Sequence, residues 1–145
     1  MIIRLQTAED HLQLVAIWLD AVRATHHFLS EEEIQSFLPL VRDVCLTALE
    51  VWVVEDTPGE PLGFMGLDGA KVEALFVAPA HHGRGIGRAL LAHAEALKGR
   101  LTVDVNEQNP EAVAFYKRCG FTQTGRSDLD GMGKPFPLIH MAQVP

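Results

Sequence analysis

Val72-Glu73-Ala74-Leu75-Phe76-Val77-Ala78-Pro79-Ala80-His81-His82-Gly83-Arg84-Gly85-Ile86-Gly87-Arg88, running on through Ala89 to Lys98, is the stretch around which the rest of the chain is organised. Its short apolar run, Ala74 to Val77, predicts a strand. Pro79, which cannot donate to a ladder, opens a loop over 78–84. Gly83, Gly85 and Gly87 follow at alternate positions, and Ile86, Leu90, Ala94 and Leu97 then recur at helical spacing. Strand, glycine loop and helix is an arrangement that binds phosphate. Glycines admit a ligand close to the backbone, and the first helical turn offers unpaired N–H groups to an anion.

Two common phosphate loops do not fit. A dinucleotide fingerprint needs G-x-G-x-x-G, but Arg88 stands where the third glycine belongs, and a Walker A loop needs Lys-Ser or Lys-Thr, which is missing here. His82-Gly83-Arg84-Gly85-Ile86-Gly87 instead resembles the R/Q-x-x-G-x-G/A loop of the GCN5-related N-acetyltransferases, with His82 in the Arg/Gln position. The resemblance implies that residues 82–88 (His82, Gly83, Arg84, Gly85, Ile86, Gly87 and Arg88) hold the pyrophosphate of acetyl-coenzyme A. The competing reading is a tight turn before an ordinary helix.

At 145 residues the chain is expected to form one domain, 1–145, large enough to bury about 68–70% of its unfolded surface. Hydrophobic residues at 48% and charged ones at 21% describe a soluble globule. Twelve Lys and Arg against nineteen Asp and Glu give a net charge of −7, which disfavours nucleic acid as a partner. An anionic coenzyme would need local positive charge, and Arg84 and Arg88 supply it. With no apolar signal core in MIIRLQTAED and no run near eighteen apolar residues, a cytoplasmic protein without a membrane partner is expected. Cys45 and Cys119 read as core thiols.

Along the chain, Met1 to Gln6 predicts a strand, and Thr7 with Asp10 an imperfect capping box. The helix that follows runs to about Ala24 and is expected to bury Leu12, Val15, Trp18, Leu19 and Val22. Ser30 and Glu33 form a second capping box, and Pro39 is expected to kink or split that helix. Strands are predicted over 50–56, 62–67, 72–77 and 101–105. Strand, helix, strand across the glycine loop implies a parallel right-handed crossover. Asn109-Pro110 opens the last helix, which ends at Cys119-Gly120. A hairpin over 121–127 and 137–144 closes the chain. The order β-α-α-β-β-β-α-β-α-β-β is an α/β domain: one mixed sheet of about seven strands flanked by four helices.

That order, the glycine loop and NEQNPEAVAFYKRCGF at 106–121 together resemble the same acetyltransferase family over essentially the whole chain. Asn109, Ala112, Phe115, Tyr116, Gly120 and Phe121 match its N-x-x-A-x-x-F-Y-x-x-x-G-F signature. ATHHFLS at 24–30, DVNEQN at 104–109 and TGRSDLDGMGKPFPL at 124–138 are similar, more narrowly, to its YjaB-like branch. The resemblance implies an N-acetyltransferase that uses acetyl-CoA and a small-molecule or peptide amine acceptor. It also allows a homodimer.

Acetyl transfer to an amine poses three problems. An amine of pKa about 10.4 is almost wholly protonated at neutral pH, so a base must take its proton. The resemblance offers Glu73 for this; a solvated strand-end carboxylate is the other reading. Alternation puts Glu73, Leu75 and Val77 on one face and Val72, Ala74 and Phe76 on the other. The thioester oxygen gains charge, and the resemblance assigns the Val77 amide to it, with Leu75 and Phe76 backbone groups holding the pantetheine arm. The leaving thiolate needs a proton, which the resemblance assigns to Tyr116, the only tyrosine. Asn109 and Tyr116 lie seven residues apart, hence on one helical face about 10 Å apart along the axis. A core aromatic is the alternative for Tyr116.

His26-His27 and His81-His82 lack the spacing of a metal site, and none is expected. His93 reads as a satisfied core-edge histidine. The segment joining the first two helices borders the acceptor pocket in the family, so Arg23, His26 and Phe28, with His140, are candidate substrate contacts; packing and solvation explain them equally. A non-catalytic coenzyme-binding module is the competing function.

Overall fold

Alternation in Glu50–Glu55 divides the molecule into two cores. Val51 and Val53 face one side of the sheet, and Trp52 and Val54 the other. In the computed structural model, which describes residues 1–144, seven strands form one sheet. They are β1 (Ile2–Leu5), β2 (Glu50–Glu55), β3 (Pro61–Asp68), β4 (Lys71–Val77), β5 (Thr102–Asn106), β6 (Phe121–Ser127) and β7 (Leu138–Gln143), in the order β1-β2-β3-β4-β5-β7-β6. Only β4 and β5 pair in parallel; every other pair is antiparallel.

Two helices cover each face. α1 (His11–Thr25) and α2 (Glu31–Leu40) pack Leu14, Ile17, Trp18, Val22 and Ile34 against Val51, Val53 and Phe64. α3 (Ile86–Lys98) and α4 (Pro110–Arg118) pack Ile86, Leu90, Leu91, Ala94 and Tyr116 against Met65, Val72, Val103 and Val105. Fully burying a Leu or Phe side chain stabilises by about 1.5–3 kcal/mol, so each face is held mainly by such contacts.

The expected caps form. Ser30 Oγ accepts from the Glu33 amide at 3.1 Å, and the Glu33 carboxylate accepts from the Ser30 amide at 3.0 Å. Asn109 Oδ1 accepts from the Ala112 amide at 3.2 Å, with Pro110 at the first helical position. Thr7 opens a short 3₁₀ turn, Ala8–Asp10, before α1, and the Thr7 amide donates to Asp10 at 2.8 Å. Asp10 also takes Arg4, whose guanidinium reaches Glu55 as well, fastening β1 to the turn and to β2.

The helix around Pro39 is split, as expected: α2 ends at Leu40, and a π-helical segment (Val41–Cys45) separates it from the turn Leu46–Ala48. Three expectations need correction. Leu12 is 80% exposed; the buried face of α1 is carried by Leu14, Ile17, Trp18, Ala21 and Val22, one helical stripe further round. Leu97 lies exposed, and Leu91 takes its place in the core. His93 is not satisfied: its Nε2 is buried without a partner and its ring packs edge-on against Trp52 at 4.4 Å.

Candidate active site

The site begins where β4 and β5 part. They pair only at Lys71↔Thr102 and Val72↔Val103, and the remainder of both strands diverges. The opening is a cavity of about 440 Å³. Ala78 N–H donates to Leu62 O on β3, so by antiparallel alternation the Val77 and Leu75 amides point away from β3, into the cleft. Leu75, Phe76, Val77, His82, Gly83, Asn109 and Tyr116 all line it.

The strands also carry a bulge. Gly66 pairs with Ala74 and Leu67 with Val72, leaving Glu73 without an opposite number. An extra residue inverts the alternation beyond it. Val72 therefore shares the α3/α4 face with Leu75 and Val77, whereas Glu73 borders a smaller cavity of about 140 Å³ beside Ala74 and Phe76 on the α1/α2 face. The predicted grouping of Glu73 with Leu75 and Val77 is thus overturned by one inserted residue.

At the mouth, Gly83 (φ 79°) and Gly85 (φ 77°) take the left-handed conformation, and Gly85 caps α3. The first intrahelical bond is Ala89 N–H to Gly85 O at 3.0 Å, so the amides of Ile86, Gly87 and Arg88 have no helical acceptor and suit an anion. Gly87 has a second reason: a Cβ there would meet Phe115 Cζ at 3.2 Å, where α3 crosses α4. The side chains of the loop behave differently from its backbone. Ile86 is core. Arg84 turns away to Asp56 and His81, at 2.8 and 2.9 Å, and Arg88 is exposed; neither lines the cavity. His82 Nε2 donates to the Val77 carbonyl at 2.8 Å, tying the loop to the end of β4.

Tyr116 is buried between Phe115 and Phe121, each at 5.2 Å, and its hydroxyl has no protein hydrogen-bond partner among the described residues. Burial pushes the phenol well above its ordinary pKa, with Cys119 adding to it. At the apex, Lys71 Nζ lies 3.2 Å from Glu73 Oε1 and 3.0 Å from Asp104 Oδ2. Asp104 Oδ1 accepts from His140 Nδ1 at 2.6 Å, and His140 Nε2 meets Ser127 Oγ at 2.7 Å. Burial alone would raise the Asp104 carboxyl, but His140 and Lys71 hold it below the usual carboxylate range.

Of the four candidate acceptor contacts, only His26 lines the cavity. Its Nδ1 meets Thr25 Oγ1 at 2.7 Å, its ring lies 5.4 Å from Phe28 and 6.5 Å from Phe76, and burial pushes its pKa down. Phe28 stands behind it against Phe136. Arg23 is engaged by Glu31, away from the cleft, and His140 reaches the cleft only through Asp104. Sequence reasoning missed Asp104, Lys71 and Ser127. Asp104 is the polar residue in an otherwise apolar alternation, Val103-Asp104-Val105, which was the available signal; its neighbours depend on strand register.

A sheet opened beside a glycine turn and a free helix N-terminus, lined by a phenol and two carboxylates, defines an α/β domain with a cleft along the exposed edge of one strand. Comparison with known proteins narrows the class. The profile described as "Acetyltransferase (GNAT) domain" matches residues 47–123. The chain is 46% identical over 142 residues to the peptidyl-lysine N-acetyltransferase YjaB of Escherichia coli K12, covering 98% of this chain and 96% of that one. The solution structure of apo YjaB from Escherichia coli superposes with a TM-score of 0.91 at 45% identity, covering 99% of each chain. A Thermoplasma acidophilum PaiA N-acetyltransferase solved with coenzyme A shares the fold, with a TM-score of 0.77 at 20% identity over the full length of both chains. The chain belongs to the GNAT acetyltransferase family, in its YjaB-like branch, and is an acyltransferase. The non-catalytic alternative gives way to an N-acetyltransferase. No helix among the described residues is long and apolar enough to cross a membrane.

Proposed function

We propose that the protein transfers the acetyl group of acetyl-CoA to a primary amine, a peptidyl lysine before others, by direct attack on the thioester. The observation that carries this is the opening of β4 from β5, with Glu73 and Asp104 at its apex and Tyr116 on its wall. The 46% identical relative is named for lysine in peptides, which favours that acceptor.

Each residue then has a task. The free amides of residues 86–88 hold the donor's pyrophosphate, and the open edge of β4 pairs with its pantetheine arm. Glu73 takes the proton of the incoming ammonium, directly or through water; a positioned base is worth about 10²–10⁴-fold. Of the two amides turned into the cleft, that of Leu75, nearer the apex than the expected Val77, stabilises charge on the thioester oxygen. Tyr116, kept protonated by burial, shares its proton with the departing sulfur. Aromatic His26 and Phe76 border the path of the acceptor's aliphatic stem.

The test pairs calorimetric titration of acetyl-CoA and free CoA with transfer to a lysine peptide read by mass. Saturable binding together with peptide acetylation supports the reading. Binding without transfer to any amine would remove the catalytic assignment, and absence of binding would reduce the glycine loop to a turn.

A further inference from the structure

One amine stands beside the two carboxylates at the apex of the cleft. β4 and β5 separate immediately after Val72↔Val103, so Glu73 and Asp104 are the first residues beyond the pairing, and both line the cavity. The Lys71 ammonium, 3.2 Å from one carboxylate and 3.0 Å from the other, bridges them across the apex. A donor anchored at the glycine loop and extended along the open edge of β4 travels from Val77 towards Glu73, about 13 Å at 3.3 Å per residue. That direction carries its acyl end to the apex.

The remaining lysines have no such position. Lys98 pairs with Glu50, Lys134 lies over the Phe37 ring, and Lys117 is on the exposed side of α4. Lys71 itself does not line the cleft but both of its carboxylate partners do, whereas Glu50, Phe37 and Lys117 all lie outside the lining.

We infer that Lys71 is an acetylation site of this protein, modified in cis by its own active site. The inference rests on the acetyl-transfer reading above. Lys71 Nζ gives a proton to Glu73 and attacks the thioester carbonyl carbon. The C–S bond breaks, and the sulfur leaves with a proton as free coenzyme A, so one amine and one thioester become one amide and one thiol. Asp104 orients the ammonium and strengthens its hold on the proton, which makes the self-reaction slower than transfer to a well-placed external amine. The product withdraws the Lys71 charge from between two carboxylates, leaving Glu73 and the Asp104 Oδ2 atom to hold the ammonium of an incoming substrate.

The experiment is incubation of the full-length protein with acetyl-CoA, digestion, and measurement of acetyl occupancy at all four lysines, alongside transfer to a lysine peptide. Lys71 is expected to be acetylated at least about tenfold faster than the other lysines, with a first-order constant independent of protein concentration, as for an intramolecular acceptor. Lys71→Arg should abolish this signal. Acetylated peptide with Lys71 no faster than Lys98, Lys117 and Lys134 overturns the inference and leaves the transfer reading intact. Lys71 acetylation that scales with protein concentration overturns the cis assignment. If neither peptide nor Lys71 is acetylated while acetyl-CoA binds, the transfer reading falls and this inference with it. A proximity readout that needs no catalysis is bromoacetyl-CoA, which should alkylate Lys71 even in Tyr116→Phe protein. Label found only on Cys45 or Cys119 counts against it.

Discussion

The Tyr116 side chain packs between Phe115 and Phe121 and lines the cleft, and its hydroxyl has no hydrogen-bond partner among the described residues. The one fully buried polar side-chain atom left unpaired among those residues is His93 Nε2, so the Tyr116 hydroxyl carries no such penalty and is free to meet a ligand. Tyr116→Phe removes the hydroxyl and keeps the ring, so packing against Phe115 and Phe121 survives. We expect kcat to fall by about 10–10²-fold, at or below the lower end of the range of acid–base catalysis because the phenol only shares its proton, with acetyl-CoA affinity changed less than about twofold. Thermal stability should hold. A variant that loses affinity instead would make Tyr116 a wall of the site and nothing more. Glu73 is tested the same way. Glu73→Gln keeps the shape and loses the base, and we expect kcat/KM for the amine to drop about 10²-fold with coenzyme binding unchanged. An unchanged rate would pass the role of base to Asp104, across the same lysine.

Elements fix where those residues stand, and the glycine turn before α3 is the most demanding of them. Gly85 sits at φ 77° with open space where a Cβ would go, so Gly85→Ala meets backbone strain without a clash. The expected cost is about 1–2 kcal/mol, read as a lowered melting temperature, together with weaker acetyl-CoA binding as the amides of residues 86–88 shift. Asn109→Ala removes the cap of α4 and should cost about 1 kcal/mol. These devices were legible in the sequence because each is local: a Ser-x-x-Glu box, Asn-Pro, Gly after a helix. What was illegible depends on distant backbone. The bulge at Glu73 is a matter of register against Gly66 and Leu67, and no pattern within β4 reveals it. Asp104 meets His140 because β5 lies beside β7, thirty-six residues on. Pro39 marked a split in its helix, but that the break takes the form of a π-helical segment, with Leu46 beyond it still in the core beside Ile34, depends on packing.

At the scale of the whole molecule, the sheet separates the α3/α4 face, which the proposal gives to the donor, from the α1/α2 face, which it gives to the acceptor, and His26 sits where the latter closes on β4. Burial depresses the His26 pKa, and His27 adds to the effect. A histidine so depressed folds as the neutral ring, whereas the unfolded chain takes up its proton near pH 6.5. Below that value the unfolded state binds more protons, so stability declines as pH falls and levels off once the folded ring also titrates. Asp10 and Asp104 act in a lower window. Their folded pKa values lie below the usual carboxylate range, so their contribution is present above about pH 4 and is lost as pH falls through the folded values. Acid should therefore weaken the protein in two stages, the first belonging to His26. Denaturant midpoints measured from pH 7.5 to 5 are expected to fall for the native sequence and to fall less for His26→Gln, with the difference between the two changing across that range. A difference that stays constant with pH would mean that the ring packs between Phe28 and Phe76 in either charge state. Acetyl transfer carries the same signature: if protonation of His26 loosens the acceptor wall, KM for the amine rises on acidification in the native protein before coenzyme affinity changes, because the donor side has no part in that titration.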